Sequence, residues 1–279
     1  MANATPTTPK DQFSSRLEQG MGVAHRKNPG GGRIALFGNT PLETQNFRKF
    51  VTQHLDFLAE WEVNTTNVWT LSALGGAAGH TFSIVTDVYD GQAYLDTGTV
   101  TNDEGCQVQY TAGNSAGEFF NPFYPPLVCV EFFAGVSEEV SSDWFVGLAN
   151  TDTSVLTAAT GAMNTTEHIG FHHLVGSADI NLVIANGTNL TIPITPIDAL
   201  VSGGAYHRFG IRMENNNRFY WFIDDAFVGA ATVGDAITGG TVAAFDALDG
   251  LCYTIAIVND NTFQSQVLIN YIASVITRI

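Results

Sequence analysis

Short runs of alternating hydrophobic and polar residues dominate the chain from about residue 63 onward. The runs are rich in valine, isoleucine, threonine and aromatic residues, and glycine, asparagine, aspartate and serine separate them, which is typical of β-strands joined by turns. Helical periodicity is almost absent there, which argues against a fold that alternates strands with helices. The predicted strands are 68–71, 81–86, 107–111, 127–136, 144–149, 167–174, 180–185, 189–194, 206–213, 219–223, 226–231, 242–245, 252–258 and 266–276.

One predicted hairpin has a specific turn signal. The segment 218–229 alternates strictly, and Asp224 and Asp225 stand where a two-residue turn would join two strands. The number and spacing of the strands predict an all-β fold, a jelly-roll-like antiparallel β-sandwich.

A different pattern precedes the strands. Large apolar residues recur there at steps of three and four, which places them on one face of a helix. We therefore predict one short helix, in a linker of residues 46–62 that packs on the sandwich. The alternative is that the first of these residues already begin the β core. The residues are Phe47, Phe50, Val51, Leu55, Leu58 and Trp61.

Residues 1–45 have few apolar anchors and contain four prolines and the run Gly30-Gly31-Gly32. Such a segment cannot bury enough surface to offset the entropy lost on ordering. We predict an extended basic N-terminal arm that orders against a partner, with an ordinary disordered tail as the alternative. The predicted organisation is thus an arm at 1–45, a helical linker at 46–62 and an acidic sandwich at 63–279.

The charge is divided unevenly between these parts. Residues 1–50 carry seven basic and three acidic side chains, whereas the remaining 229 residues carry four basic and 24 acidic ones. Such an acidic body would repel phosphate, which excludes it as a nucleic-acid-binding module. The candidate partner-binding residues therefore lie in the arm and at its junction with the body: Arg16, Arg26, Lys27, Arg33, Phe37, Arg48 and Lys49.

The remaining composition narrows the class of protein further. No apolar run approaches the roughly 18 residues of a membrane span, and the polar N-terminus has no stretch that resembles a signal peptide. Cys106, Cys129 and Cys252 are an odd number at wide spacing, so we predict no disulfide framework. We expect the protein to be made in the cytoplasm without a signal peptide and to have no membrane partner.

Catalytic and metal-binding patterns are weak. Retaining glycosidases of sandwich folds need two carboxylates on one face of a strand, but Glu138 and Glu139 are adjacent and would point to opposite faces. His168, His172 and His173 are the best metal candidates, but His168 and His172, which share a strand face, would be roughly 13 Å apart, too far for one metal ion. We therefore predict no enzyme activity, no catalytic residue, no metal site and no cofactor.

Two kinds of loop residue leave alternatives open. Carboxylates in turn-like segments could hold calcium or could simply stabilise turns by bonding their own backbone. Aromatic residues of the 119–124 segment could stack on sugars, or could form a packed loop or a subunit contact. The carboxylates are Asp87, Asp90, Asp103, Glu104, Asp246 and Asp249, and the aromatic residues are Phe119, Phe120, Phe123 and Tyr124.

Several segments carry a family resemblance. RFYWFIDDAFVGAAT, LCYTIAIVND and VLINYIASVITRI resemble the closing strands of concanavalin A-like and laminin-G-like sandwiches. PLVCVEFFAGV, SSDWFVGLANTDTSVL and EHIGFHHLVGSADINLVIANG are similar, in this order, to tailed-bacteriophage virion proteins. The resemblance covers about residues 60–279, and its most specific block is 143–156.

This resemblance implies a structural role. We expect a capsid decoration, or cement, protein on the outer surface of a phage head, where it stabilises contacts between subunits of the major capsid protein. Self-association, for example as a trimer, would let one molecule reach several subunits. The alternative is a lectin-like module of a phage head or tail fibre that binds a host glycan.

Overall fold

The structure is a computed structural model of the 279-residue chain. It describes residues 50–56, 69–76, 79–85, 92–98, 103–110, 127–137, 142–151, 154–164, 166–177, 179–187, 189–194, 205–245, 250–260 and 264–277.

These residues form seventeen strands, and none of them forms a helix. Accordingly, the described part contains no helix with the length and apolar character that a membrane crossing requires. The strands are β1 (Phe50–Asp56), β2 (Trp69–Leu74), β3 (Thr81–Val85), β4 (Gln92–Asp96), β5 (Glu104–Tyr110), β6 (Leu127–Val136), β7 (Ser142–Ala149), β8 (His168–His173), β9 (Ile180–Ala185), β10 (Asn189–Ile194), β11 (His207–Glu214), β12 (Arg218–Ile223), β13 (Ala226–Thr232), β14 (Ala236–Ile237), β15 (Gly240–Thr241), β16 (Cys252–Asn259) and β17 (Gln266–Thr277).

Two antiparallel sheets form a β-sandwich. The eight-stranded sheet has the order β13-β12-β11-β6-β17-β4-β3, and β1 also pairs with β17. The seven-stranded sheet has the order β10-β9-β8-β7-β16-β5-β2, and β14 and β15 form a separate small hairpin. The segments β11-β6-β17-β4 and β7-β16-β5-β2 join strands that do not follow one another in sequence, so the fold has crossed connections rather than those of one continuous meander. The predicted all-β sandwich is confirmed.

The core between the sheets is aromatic and dry. Phe209 of the eight-stranded sheet packs against Trp144 and Phe171 of the seven-stranded sheet, with ring centroids 5.8 and 5.1 Å apart. One buried ring nitrogen is hydrogen-bonded across the core: the indole Nε1 of Trp221 donates to the Gly170 carbonyl at 3.0 Å. These contacts fix which face of every strand points inward and which points outward.

The predicted helix at 46–62 is wrong where the structure describes the chain. Residues Phe50–Asp56 form β1, which pairs with β17 from Phe50 opposite Thr277 to Asp56 opposite Tyr271. On one side, β17 pairs with β6. On its other side, the first residues of β17 pair with β4, and the residues from Tyr271 onward pair with β1. Backbone hydrogen bonding to this edge therefore decides the local structure against the helical spacing of the apolar residues.

Most predicted strands agree with the structure, and two details differ besides the short hairpin β14–β15, which was not predicted. The strand Gln92–Asp96 was not predicted, and Val242 to Phe245, predicted as a strand, run as an irregular segment after β15. The two-residue turn is confirmed, since Asp224 and Asp225 have φ angles of 49° and 69° between β12 and β13. The N-terminal arm at 1–45 lies outside the described residues, so its extended form and the domain boundaries stay predictions.

Candidate functional site

The outer face of the seven-stranded sheet is covered by the chain itself. Residues 154–164 form a small hairpin, here named the cap hairpin, in which Leu156 pairs with Met163. Val155 and Leu156 are completely buried against Phe145 and its neighbours in a second hydrophobic cluster outside the main core. Within the described residues, the part of the sheet face beneath the cap hairpin is therefore closed to a ligand.

Buried polar contacts anchor the cap hairpin. The side-chain Oε1 of Gln107 accepts a hydrogen bond from the Val155 amide at 2.8 Å, and the ring Nε2 of His172 donates to the Gly161 carbonyl at 2.9 Å. Burial lowers the pKa of His172 to about 4 and that of His168 to about 3, so both rings are neutral at pH 7. Burial raises the pKa of the neighbouring Asp143 carboxyl to about 6. These groups serve the packing of the cap hairpin.

The histidines that were weighed as metal ligands do not converge. His168 and His172 lie on the covered outer face, whereas His173 points into the core and stacks on Trp144 with an interplanar angle of 14°. The two ring nitrogens of His173 face the carbonyl oxygens of Ser142 and Ser177. Within the described ranges, no three histidine, cysteine, aspartate or glutamate side chains are placed to hold a metal ion.

The other sequence-based candidates are only partly described. Asp103 and Glu104 begin β5 and its preceding turn, where Asp103 has a φ of 61°. The remaining calcium candidates, the aromatic segment 119–124 and all seven partner-binding candidates lie outside the described residues: Asp87, Asp90, Asp246, Asp249, Phe119, Phe120, Phe123, Tyr124, Arg16, Arg26, Lys27, Arg33, Phe37, Arg48 and Lys49.

A different surface, on the outer face of β11 to β13, combines aromatic rings with the arginines of the acidic body. Alternate residues of β11 and β12 point into the main core, so their neighbours point outward. Every lysine or arginine among the described residues belongs to this outer face. We name it the arginine–aromatic face, and its members are Arg208, Arg212, Glu214, Arg218, Tyr220, Phe222 and Phe227.

Arg212 and Tyr220 form the centre of this face. They are directly opposite each other in the β11–β12 pairing, and the guanidinium carbon of Arg212 lies 5.4 Å from the centroid of the Tyr220 ring. Glu214 holds the same guanidinium in an ion pair, and its second carboxylate oxygen lies 3.5 Å from the Tyr220 hydroxyl. The side chains of Arg212 and Glu214 are 28% and 23% exposed. A fixed guanidinium, a carboxylate and a ring thus meet at the surface.

Phe227 adds an apolar surface beside this group. It is 61% exposed, one of two large hydrophobic residues described as exposed, and its ring contacts that of Phe222 at 6.0 Å. The pairing register places Ala230 opposite Tyr220, so a small exposed residue borders the tyrosine ring on the β13 side. Tyr220 and Phe222 are alternate residues of β12 on this face, so the Phe222–Phe227 pair lies one step along the strand from Tyr220.

The β12–β13 turn holds one end of the face rigidly. Asp224 accepts hydrogen bonds from the ring Nδ1 of His207 at 2.7 Å and from the Arg208 amide at 3.0 Å. Burial alone would raise the pKa of Asp224, but these two hydrogen bonds outweigh it and lower the pKa. The Arg208 guanidinium pairs with Asp225 at 2.8 Å. The Arg208 side chain therefore has a set position.

This arrangement suits the recognition of a ligand with both apolar and hydroxyl groups. Aromatic rings present a broad apolar surface, while a guanidinium offers five N–H donors and a carboxylate offers acceptors. The sequence contained a signal for this face. Arg208, Arg212 and Arg218 are the only basic residues between Lys49 and Arg278, and the alternation of β11 and β12 puts them on one side.

Comparisons with known proteins concern the fold. No protein-family model matches the sequence, and no curated protein matches it. A protein of unknown function from Shewanella oneidensis MR-1 has a TM-score of 0.52 at 9% identity, covering 99% of this chain and 97% of that chain.

Two further solved structures are similar with lower scores. The carbohydrate recognition domain of Emp46p has a TM-score of 0.49 at 9% identity, covering 79% of this chain and 95% of its own. A carbohydrate esterase from the Shiga toxin-encoding bacteriophage phi24B has a TM-score of 0.46 at 15% identity, covering 81% and 99%. At these identities the likeness is one of fold, a β-sandwich, and the relation to concanavalin A-like and phage virion proteins stays a prediction.

Proposed function

We propose that the protein is a glycan-binding, lectin-like module that acts by binding rather than by catalysis, and that its ligand site is the arginine–aromatic face. The observation that carries the proposal is the group of Arg212, Glu214 and Tyr220, with the exposed Phe227 beside it. In the described part of the chain, this face combines exposed ring surface with fixed charged donors and acceptors.

The physical match is to a sugar ring. A pyranose has an apolar face of C–H groups, which packs on an aromatic ring, and an edge of hydroxyls, which can donate and accept hydrogen bonds. Hydrogen bonds to charged groups are about twice as strong as neutral ones, so a guanidinium paired with a carboxylate orients hydroxyls well. The ion pair also fixes both side chains before binding, which reduces the entropy lost on association.

We further propose that the module is displayed on a phage virion, on the head or on a tail fibre, where it would hold the particle near host polysaccharide. The resemblance of residues 126–187 to virion proteins supports this location. Glycan display needs neither a cofactor nor a reaction, in keeping with the expectation that the protein is not an enzyme. The chain would then be made in the host cytoplasm.

A second candidate function is capsid cementing. The observation that favours it is the charge separation, with seven basic residues in the first 50 and an acidic remainder. A basic arm could add contacts with the major capsid protein, and a homo-oligomer, such as a trimer, could join several subunits. The two functions are compatible, because an arm could bind the shell while the sandwich displays the arginine–aromatic face.

The glycan proposal is tested by binding of the purified full-length protein to an array of bacterial polysaccharides and oligosaccharides. We expect Tyr220→Ala and Phe227→Ala each to weaken binding about five- to twelvefold, since loss of one stacking ring removes roughly 1–1.5 kcal/mol. Leu174→Ala is the matched control, because Leu174 is the other exposed large hydrophobic residue and is 36% exposed. Wild-type binding to no glycan, or equal losses in the control, would refute the proposal.

The cement alternative has its own experiment. Full-length protein and a version without residues 1–45 are each added to phage shells that have been stripped of it. Saturation of discrete lattice sites by the full-length protein, with much weaker binding of the truncated one, supports cementing through the arm. Failure of both to bind shells rules out cementing while leaving the glycan proposal intact.

A further inference from the structure

We infer that the arginine–aromatic face selects an uncharged glycan, and that Glu214 sets this selectivity by occupying the guanidinium of Arg212. The inference rests on the proposed glycan-binding function and names the ligand class for that site. Carboxylate-bearing sugars, such as uronic or sialic acids, are the class that the face would reject.

The first support is the state of the arginines. A free arginine beside an aromatic ring would be a strong site for a sugar carboxylate, because guanidinium and carboxylate form two parallel hydrogen bonds. In this face Arg212 is already paired with Glu214, and Arg208 is paired with Asp225 at 2.8 Å. A sugar carboxylate would have to displace a carboxylate of the protein from either guanidinium.

The second support is the position of Arg218. It is exposed and forms no ion pair in the described part of the chain, yet it lies directly opposite Glu214 in the β11–β12 pairing. Glu214 therefore stands between two guanidiniums, one paired and one across the strand. A carboxylate ligand that approached either arginine would meet the charge of Glu214 at short range.

The third support is the net charge around the face. Segment 205–245, which is described without a gap, contains three arginines and four carboxylates: Glu214, Asp224, Asp225 and Asp235. The whole chain has a formal charge of −16 at pH 7. An anionic glycan would be repelled at long range, and Arg218, the described arginine without an ion pair, lies directly opposite the negative charge of Glu214.

Uncharged hydroxyls meet no such obstacle. The Arg212–Glu214 pair joins a terminal nitrogen of the guanidinium to one carboxylate oxygen, and a hydroxyl, which can donate and accept hydrogen bonds, brings no charge that competes with either partner. The second oxygen of Glu214 is near the Tyr220 hydroxyl at the edge of the ring. A neutral sugar can therefore bind to the intact ion pair without breaking it.

The test uses an array that presents neutral oligosaccharides, each beside a counterpart that carries a carboxylate as a uronic or sialic acid. We expect the wild type to bind neutral members at least tenfold more tightly than their counterparts. Glu214→Gln, which keeps the shape but frees Arg212, should reduce this ratio at least tenfold. Glu214→Asp, which keeps the carboxylate, should leave a ratio close to that of the wild type, and thermal unfolding of each variant confirms that it is folded.

The outcomes separate this inference from the proposal beneath it. Wild-type preference for the carboxylated counterparts, together with loss of that binding in Tyr220→Ala, would overturn the selectivity and keep glycan binding at this face. A ratio unchanged by Glu214→Gln would overturn the role of Glu214. Binding to neither class, or binding insensitive to Tyr220→Ala, would overturn the proposed function itself.

Discussion

Gly161 shows how one residue sets the position of the cap hairpin. Its φ is 61°, in the left-handed region, and a Cβ atom placed there would lie 1.9 Å from a carboxylate oxygen of Asp143. The other oxygen of Asp143 accepts a hydrogen bond from the Val175 amide at 2.6 Å. A glycine is therefore required both by the backbone conformation and by the approach of Asp143.

Replacing Gly161 by alanine should destabilise the protein more than its backbone conformation alone explains. Gly176 is the matched control, since its φ is 75° and nothing lies within 4 Å of its Cβ position. We expect Gly176→Ala to lower the free energy of unfolding by about 1–2 kcal/mol, because alanine is disfavoured in the left-handed conformation. Gly161→Ala should lower it by about 1–3 kcal/mol more, because its Cβ would also clash with Asp143. Urea unfolding measures both, and equal costs would contradict the packing of Gly161 on Asp143.

The buried histidines of the cap hairpin should make the protein sensitive to acid. In the unfolded chain His172 binds a proton below its ordinary pKa of 6.5, whereas in the folded chain it does so only below about 4. Between these values the unfolded state holds more protons, so stability falls as the pH decreases. His172→Gln removes this titration and can keep a donor for the Gly161 carbonyl. Its free energy of unfolding should therefore vary less between pH 6.5 and pH 4.5.

Asp143 should have the opposite effect over part of the same range. Its folded pKa of about 6 lies above the ordinary value of 3.8, so the folded state holds the extra proton and stability decreases as the pH rises between them. Asp143→Asn, which keeps an acceptor for the Val175 amide, should therefore make the stability of the protein rise more steeply from pH 4.5 to pH 6.5. Slopes that change in the same direction in the two variants would contradict the assigned shifts.

At the scale of elements, β1 is the strand whose role is least apparent from the sequence. Because only alternate residues of an antiparallel strand point their amides at the partner, one of Thr52 and Gln53 donates to β17 and the other points away. Proline at the donating position should cost about 1–3 kcal/mol more than at its neighbour, since an acceptor of β17 loses its partner. Thermal unfolding of Thr52→Pro and Gln53→Pro tests this, and equal, negligible losses would contradict the β1–β17 pairing.

The elements also show what sequence patterns can and cannot predict. Runs such as Leu127–Val136 and Ile180–Ala185 were predicted with their observed bounds, because local alternation and β-branched residues agree with a buried strand. The strand Phe50–Asp56 was mistaken for a helix, because its pairing partner is more than 200 residues away. The local periodicity of a sequence contains no information about a pairing partner so far along the chain.

The arginine–aromatic face was not among the sequence predictions, for a related reason. The arm residues Arg16 to Lys49 were chosen for their charge, whereas the arginine–aromatic face depends on the register between β11 and β12. Arg212 and Tyr220 are eight residues apart in sequence, and only the turn between the strands places one over the other. The sequence shows which residues alternate within each strand. It does not show that the outward residues of β11 and β12 lie side by side, because that depends on how the two strands pair in the sheet.

At the scale of the whole molecule, the two outer faces of the sandwich differ in kind. The face of the seven-stranded sheet is closed by the cap hairpin, with Val155 and Leu156 fully buried. The β11–β13 part of the other sheet presents Arg212, Tyr220 and Phe227 toward solvent. An acidic body with its described arginines gathered on one open face is suited to recognise a ligand there and to repel polyanions elsewhere.

The proposed site is tested most directly by titrating the full-length protein with a neutral oligosaccharide that it binds on the array. The titration is monitored by NMR of the backbone amides and of the arginine side chains. The account predicts that the largest shift changes occur at the Arg212 side chain and in Tyr220, Phe227 and Ala230 of β12 and β13. Changes concentrated in the cap hairpin or in the strands of the seven-stranded sheet would contradict it.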